Sequence, residues 1–152
     1  MTSPKSGKYV PFAAGNNGQL LVDKLPLVLA VDDNRDNLDL LVQILDLWGC
    51  ECVATSDGYA ALLAASDRTP DLIILDICLP DIDGIELVNR IKGDPKLANI
   101  PIVAITALAK TEDRDRILLA GCAAYLSKPF NLDDLERIMR DRLNLKLLPV
   151  EF

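Results

Sequence analysis

A chain of 152 residues, half of them hydrophobic but only 5% aromatic, has room for one core, built mainly from Leu, Ile, Val and Ala. Its 23 acidic and 16 basic residues give a formal charge of -7, which argues against a nucleic-acid face and against docking on an anionic membrane. No histidine is present, which excludes a histidine kinase, a phosphohistidine carrier and a Ser-His-Asp hydrolase; Cys50, Cys52, Cys78 and Cys122 form no CxxC pair for structural zinc.

Residues 1–25 are rich in Gly, Pro, Ser and Asn and predict a flexible arm with no apolar secretory core. The span 26–145 reads as one folded domain and 146–152 as a short tail. Leu27 to Val31 is a continuous apolar run, the pattern of a strand buried on both faces. A helix follows with Leu40, Leu41, Ile44, Leu45 and Trp48 as its expected core stripe, closed by Gly49. Glu51 to Thr55 predicts a second strand, and Ser56 or Asp57 a cap for an Ala-rich helix from Gly58 to Ala65. Asp71 to Leu75 predicts a third strand and Ile85 to Ile91 a third helix. Ile102 to Ile105 is a fourth strand, opened by Pro101. Glu112 and Asp113 suit the first turn of a helix that carries Ile117, Leu118 and Leu119 and stops at Gly121. Ala123 to Leu126 is a short fifth strand. Asn131 caps a last helix with Leu132, Leu135, Ile138, Met139 and Leu143 inward. No apolar run approaches the length of a membrane span.

Strands alternating with helices imply a parallel sheet covered on both faces, whose polar function collects at the carboxyl ends of the strands. Asp32 and Asp33 follow the first strand, Asp76 the third, Thr106 the fourth and Lys128 the fifth. Carboxylates gathered in one crevice repel one another unless a cation joins them, and a hard divalent ion such as Mg2+ suits oxygen ligands. Lys128 adds a positive charge and Thr106 a hydroxyl donor for anionic oxygens. Metal, ammonium and hydroxyl around one carboxylate describe phosphoryl transfer.

Asp32-Asp33-Asn34, Asp76 within Leu-Asp-Ile-Cys-Leu-Pro-Asp-Ile-Asp-Gly, Thr106-Ala107 and Lys128-Pro129-Phe130 together resemble the receiver domains of response regulators, over about Leu27 to Leu143. The resemblance implies a flavodoxin-like doubly wound α/β fold with strand order 2-1-3-4-5. It implies that Asp76 takes a phosphoryl group from a kinase phosphohistidine, and that the chain is not otherwise an enzyme. Asp33 and Asp76 would bind Mg2+ directly, Asp32 through water, and Cys78 through its backbone carbonyl. Thr106 and Lys128 would hold phosphoryl oxygens, with the Lys128-Pro129 bond cis and Gly84 shaping the turn after the third strand. Tyr125 stands where receivers carry an aromatic switch, so Thr106 and Tyr125 would move together and change the face formed by residues 112–142. A cytoplasmic, stand-alone receiver is the expectation, with a histidine kinase or histidine phosphotransfer protein as phosphodonor and an unnamed protein as target.

Taken singly, each of these residues has a plainer role, as a loop cap, a solvated charge or a half-buried aromatic. Their joint position at one sheet edge favours the receiver reading. Asp32-Asp33-Asn34 with Asn37, and the Thr-Ala-Leu-Ala run at 106–109, resemble relay or cell-cycle receivers, so passage of the phosphate to a histidine phosphotransfer protein is an alternative to adaptor output. A flavin carrier is disfavoured by Asp32-Asp33 where a phosphate-cradling loop would stand. A haloacid-type phosphatase would want its nucleophile after the first strand. Leu108, two residues past Thr106, would not orient water and predicts slow loss of phosphate. Leu38, Val42 and Leu47 lie outside the expected helix stripe and are either a wide buried face or part of a kinase-docking surface.

Overall fold

The computed structural model describes residues 25–107 and 110–143. Five strands, β1 (Leu27–Val31), β2 (Glu51–Thr55), β3 (Leu72–Leu75), β4 (Ile102–Thr106) and β5 (Ala124–Ser127), alternate with five helices. These are α1 (Arg35–Leu47), α2 (Gly58–Arg68), α3 (Gly84–Gly93), α4 (Thr111–Ala120) and α5 (Leu132–Leu143). The strands form one parallel sheet in the order β2-β1-β3-β4-β5, as expected from the resemblance.

Side chains alternate across the sheet and build two cores. Val28, Ala30, Leu72, Ile74, Val103 and Ile105 face α1 and α5, where Leu41, Trp48, Leu135 and Met139 meet them. Leu29, Val31, Ile73, Leu75, Ile102 and Ala104 face the other layer, with Ala61, Leu87, Ile91 and Ile117 from α2, α3 and α4. Central strands β1, β3 and β4 are buried on both faces apart from Leu27, which explains their unbroken apolar runs. The chain order reverses between β1 and β3, and this switch point opens a crevice at their carboxyl ends.

The phase of α1 differs from the sequence expectation. On α1 the buried stripe is Leu38, Leu41, Ile44 and Leu45, continued by Trp48. Leu38 is only 8% exposed, which agrees with the wide buried face, whereas Leu40, expected in the core stripe, is 54% exposed. Leu38 is therefore a core residue rather than a docking residue; Val42 is half-buried and Leu47 exposed. On α4 only Ile117 is buried, while Leu118 and Leu119 are exposed. Successive helical residues point about 100° apart, so three in a row cannot share one core face. The expected arm lies outside the described residues except for Leu25, as do Leu108 and the whole of the expected tail.

Candidate functional site

The sheet's own ladder carries the polar residues into the crevice. Asp76 N–H donates to the Val31 carbonyl at 2.9 Å, Asp32 N–H to Thr55 at 3.2 Å, and Lys128 N–H to Thr106 at 2.9 Å. Asp32, Asp76 and Lys128 are thus each placed by a backbone bond that extends a strand pair by one step. Asp32 and Asp76 are buried, Thr106 is fully buried, and Asp33 is exposed.

Oxygens of Asp32, Asp33 and Asp76 lie within 4.8 Å of one another. Lys128 Nζ donates to Asp32 Oδ2 and to Asp76 Oδ2, each at 2.9 Å. Burial pulls the Lys128 pKa down, but its hydrogen bonds and charge attraction to Asp32 and Asp76 outweigh this and hold it above the ordinary lysine value. The remaining carboxylate oxygens are tied locally: Asp32 Oδ1 accepts the Asn34 N–H at 2.9 Å, and Asp76 Oδ1 the Cys78 N–H at 3.0 Å. Three carboxylates against one ammonium leave an excess of formal negative charge in a partly desolvated crevice. Such a donor set suits a hard divalent cation.

Around this centre, Thr106 Oγ1 lies 3.6 Å from Cys78 Sγ. Tyr125 pairs in register with Ala104, two residues before Thr106 on the same sheet face. Tyr125 is half-buried against the core on that side. The Lys128-Pro129 bond is cis, as expected. Gly84 leaves no room for a side chain, since a Cβ there would fall 2.3 Å from the Ile77 carbonyl oxygen. The Cys50 and Cys122 thiols are pushed up to about 12 and about 11, chiefly by burial, which leaves them inert, whereas Cys78 is exposed beside Asp76.

One feature of the site was not legible in the sequence. A cleft of about 550 Å3 opens from Asp76 and Lys128 between α1 and the start of α5, walled by Leu40, Leu41, Phe130 and Leu132. Phe130 stands in the recognised Lys-Pro-Phe motif, but the cleft depends on how two distant helices sit side by side.

A family model for the response regulator receiver domain matches residues 28–140, three-quarters of the chain, and includes all of the crevice residues. The chain belongs to the response regulator receiver family. It is 40% identical over 105 residues to the polar-differentiation response regulator DivK of Brucella anthropi, an alignment covering 69% of this chain and 85% of the relative. Among solved structures, a CheY-like receiver domain protein from Methanospirillum hungatei matches with a TM-score of 0.74 and 30% identity, covering 80% of this chain and 95% of the other. The receiver domain of the sensor histidine kinase PA1611 from Pseudomonas aeruginosa matches with a TM-score of 0.74 and 31% identity, over 80% of this chain and all of that one. That structure holds a magnesium ion coordinated in its active-site cleft. Receiver membership displaces the flavin-carrier and haloacid-phosphatase alternatives. Among the described residues no helix is long and apolar enough to cross a membrane.

Proposed function

We propose that Asp76 accepts a phosphoryl group from a phosphohistidine on a partner protein, and that the phosphorylated receiver signals by protein binding in the cytoplasm. The observation that carries this reading is the Lys128 ammonium bridging Asp32 and Asp76 within the three-carboxylate crevice. Asp33 and Asp76, the Cys78 carbonyl, and Asp32 through water would hold Mg2+. Once bound, the ion would offset negative charge on the carboxylates and on the incoming phosphoryl oxygens.

The Asp76 carboxylate is the nucleophile. One of its oxygens forms a bond to phosphorus as the P–N bond of phosphohistidine breaks, and the electron pair leaves on the imidazole nitrogen, which is then protonated by water. Lys128, anchored on the cis peptide, already touches Asp76 and can turn its ammonium to a phosphoryl oxygen. Thr106 can exchange its contact with Cys78 for a second phosphoryl oxygen. Movement of Thr106 frees space on the sheet face that Tyr125 shares, which couples the site to the α4–β5–α5 edge. Exposed Leu118 and Leu119 on α4 give that edge an apolar surface for a target protein. The chemistry is confined to the protein's own Asp76, with no separate substrate turned over.

Phosphate uptake from a small phosphodonor with Mg2+ tests the central assignment. Asp76→Asn should abolish it, and uptake equal to wild type would falsify the reading.

The cleft beside Asp76 supports docking of the phosphodonor's helix there, with Leu40 taking the place expected of Leu38. It would serve equally for return of the phosphate to a histidine phosphotransfer protein. Leu40→Glu should slow transfer from a phosphorylated partner about tenfold, the scale of losing one interface anchor. Its uptake from a small phosphodonor and its Tm should match wild type. An unchanged partner rate would remove Leu40 from the docking surface.

A further inference from the structure

Asp81 lies in the loop between β3 and α3, five residues past Asp76, yet its carboxylate is engaged by a different element. Its Oδ1 accepts the Gly58 N–H at 2.8 Å and its Oδ2 the Tyr59 N–H at 2.9 Å. These are the first two amides of α2 and have no acceptor within the helix. The helix's own cap, Asp57, takes the Ala60 N–H at 2.7 Å instead. Partial desolvation would raise the Asp81 pKa, but the bonds from Tyr59 and Gly58 outweigh it and hold the carboxyl below its ordinary value.

A second contact closes the same junction. A Cβ on Gly58 would fall 2.0 Å from Ile82 Cγ2, so residue 82 lies directly on the first turn of α2. At the other end of the loop, the Ile77 carbonyl accepts the Leu79 N–H at 3.2 Å and the Gly84 N–H at 3.1 Å, while the Cys78 N–H reaches Asp76 Oδ1. The loop is therefore held at both ends, by β3 and α3 on one side and by α2 on the other.

We infer that Asp81 is a positioning residue for the cation site: anchored on the N-terminus of α2, it sets the path of the loop from Asp76 to Asp83 and so the placement of the Cys78 peptide beside Asp76. The inference rests on the proposed Mg2+ role of the crevice. Because coupling is reciprocal, a cation bound at the crevice also tightens the Asp81 anchor on α2.

The test is calorimetric titration of Mg2+ into the full chain as wild type, Asp81→Ala, Asp81→Asn and Leu63→Gly, with amide exchange at Gly58 and Tyr59 followed with and without Mg2+. Leu63 is 74% exposed on α2, so its glycine variant loosens the helix through propensity alone. Asp81→Ala should raise the Mg2+ Kd about tenfold, the low end for groups that orient a ligand. Asp81→Asn, which keeps one carbonyl oxygen for one of the two amides, should raise it less. Leu63→Gly should lower Tm and leave Kd unchanged. Mg2+ should slow exchange of the Gly58 and Tyr59 amides in wild type and no longer do so in Asp81→Ala. A Kd for Asp81→Ala within twofold of wild type, or an equal rise in Leu63→Gly, overturns the inference while the Mg2+ site stands. Wild type that binds no Mg2+ overturns the site reading as well.

Discussion

Replacing Lys128 by methionine is expected to cut phosphoryl uptake from a small phosphodonor by about 10²–10³-fold, the scale of losing one preorganised group that meets developing negative charge. Mg2+ should bind this variant more tightly than wild type, because removal of the ammonium leaves Asp32 and Asp76 without the cation that bridges them. The opposite signs of these two effects separate a group that handles phosphate from one that merely stabilises the fold. Without Mg2+ the variant should also be less stable. Breaking a buried pair costs about 3–5 kcal/mol, and screening at the partly exposed lysine brings this to about 2 kcal/mol.

The pH dependence has a definite sign. The folded-state pKa of Lys128 is raised, so its contribution is complete below the unfolded lysine value of about 10.4 and is lost as pH rises through the higher folded value. Wild type and Lys128→Met should therefore differ in Tm at pH 8 and converge at strongly alkaline pH. Uptake within threefold of wild type, or weaker Mg2+ binding by the variant, would contradict the proposed role.

Gly84→Ala should destabilise the domain by about 3 kcal/mol and lower Tm by roughly 10 °C. Helix propensity alone predicts the reverse, since alanine is favoured over glycine by about 1 kcal/mol within a helix. Packing decides the sign. A Cβ at residue 84 would fall 2.3 Å from the Ile77 carbonyl oxygen and 2.5 Å from Ile77 Cα, and both are backbone atoms that cannot swing aside. Residue 77 is flanked by Asp76 and Cys78, so the displaced loop should also weaken Mg2+ binding. Gly93, at the far end of the same helix, is the internal comparison: a Cβ there meets nothing within 4 Å. Gly93→Ala should be neutral or slightly stabilising. A Gly84→Ala protein as stable as wild type would show that the loop can relax away from α3.

Much of the site could be read before the fold because its signals are local to the chain. Asp32, Asp33, Asp76, Thr106 and Lys128 each follow a short apolar run, and a buried parallel strand needs such a run whatever its neighbours are. Their convergence then follows from sheet topology alone. The candidate switch residues were named through the family resemblance rather than by a local pattern, with Tyr125 within the fifth strand and Thr106 at the end of the fourth. The sequence placed the two on the right strands, and the register of Tyr125 opposite Ala104 adds that they share a sheet face.

Helix phase was harder. α1 has leucines at 38, 40, 41, 45 and 47, enough to cover most of its circumference, and periodicity cannot choose among overlapping stripes. Contact with β1 and β2 selects Leu38 and Leu41 and turns Leu40 outward. On α4 the run Ile117-Leu118-Leu119 is similarly ambiguous until the sheet claims Ile117. Nor could local pattern reveal the cleft between α1 and α5, or the Asp81 anchor on α2, which joins residues 22 and 23 positions apart. The amino-acid sequence by itself determined the strand order's raw material, the candidate acceptor Asp76 and the polar residues that surround it, because strand burial and strand ends are written in consecutive residues. Only the tertiary structure decided which leucines are core, where a cleft opens beside Asp76, and what holds the loop beyond Asp76, because those depend on the packing of segments far apart in the chain.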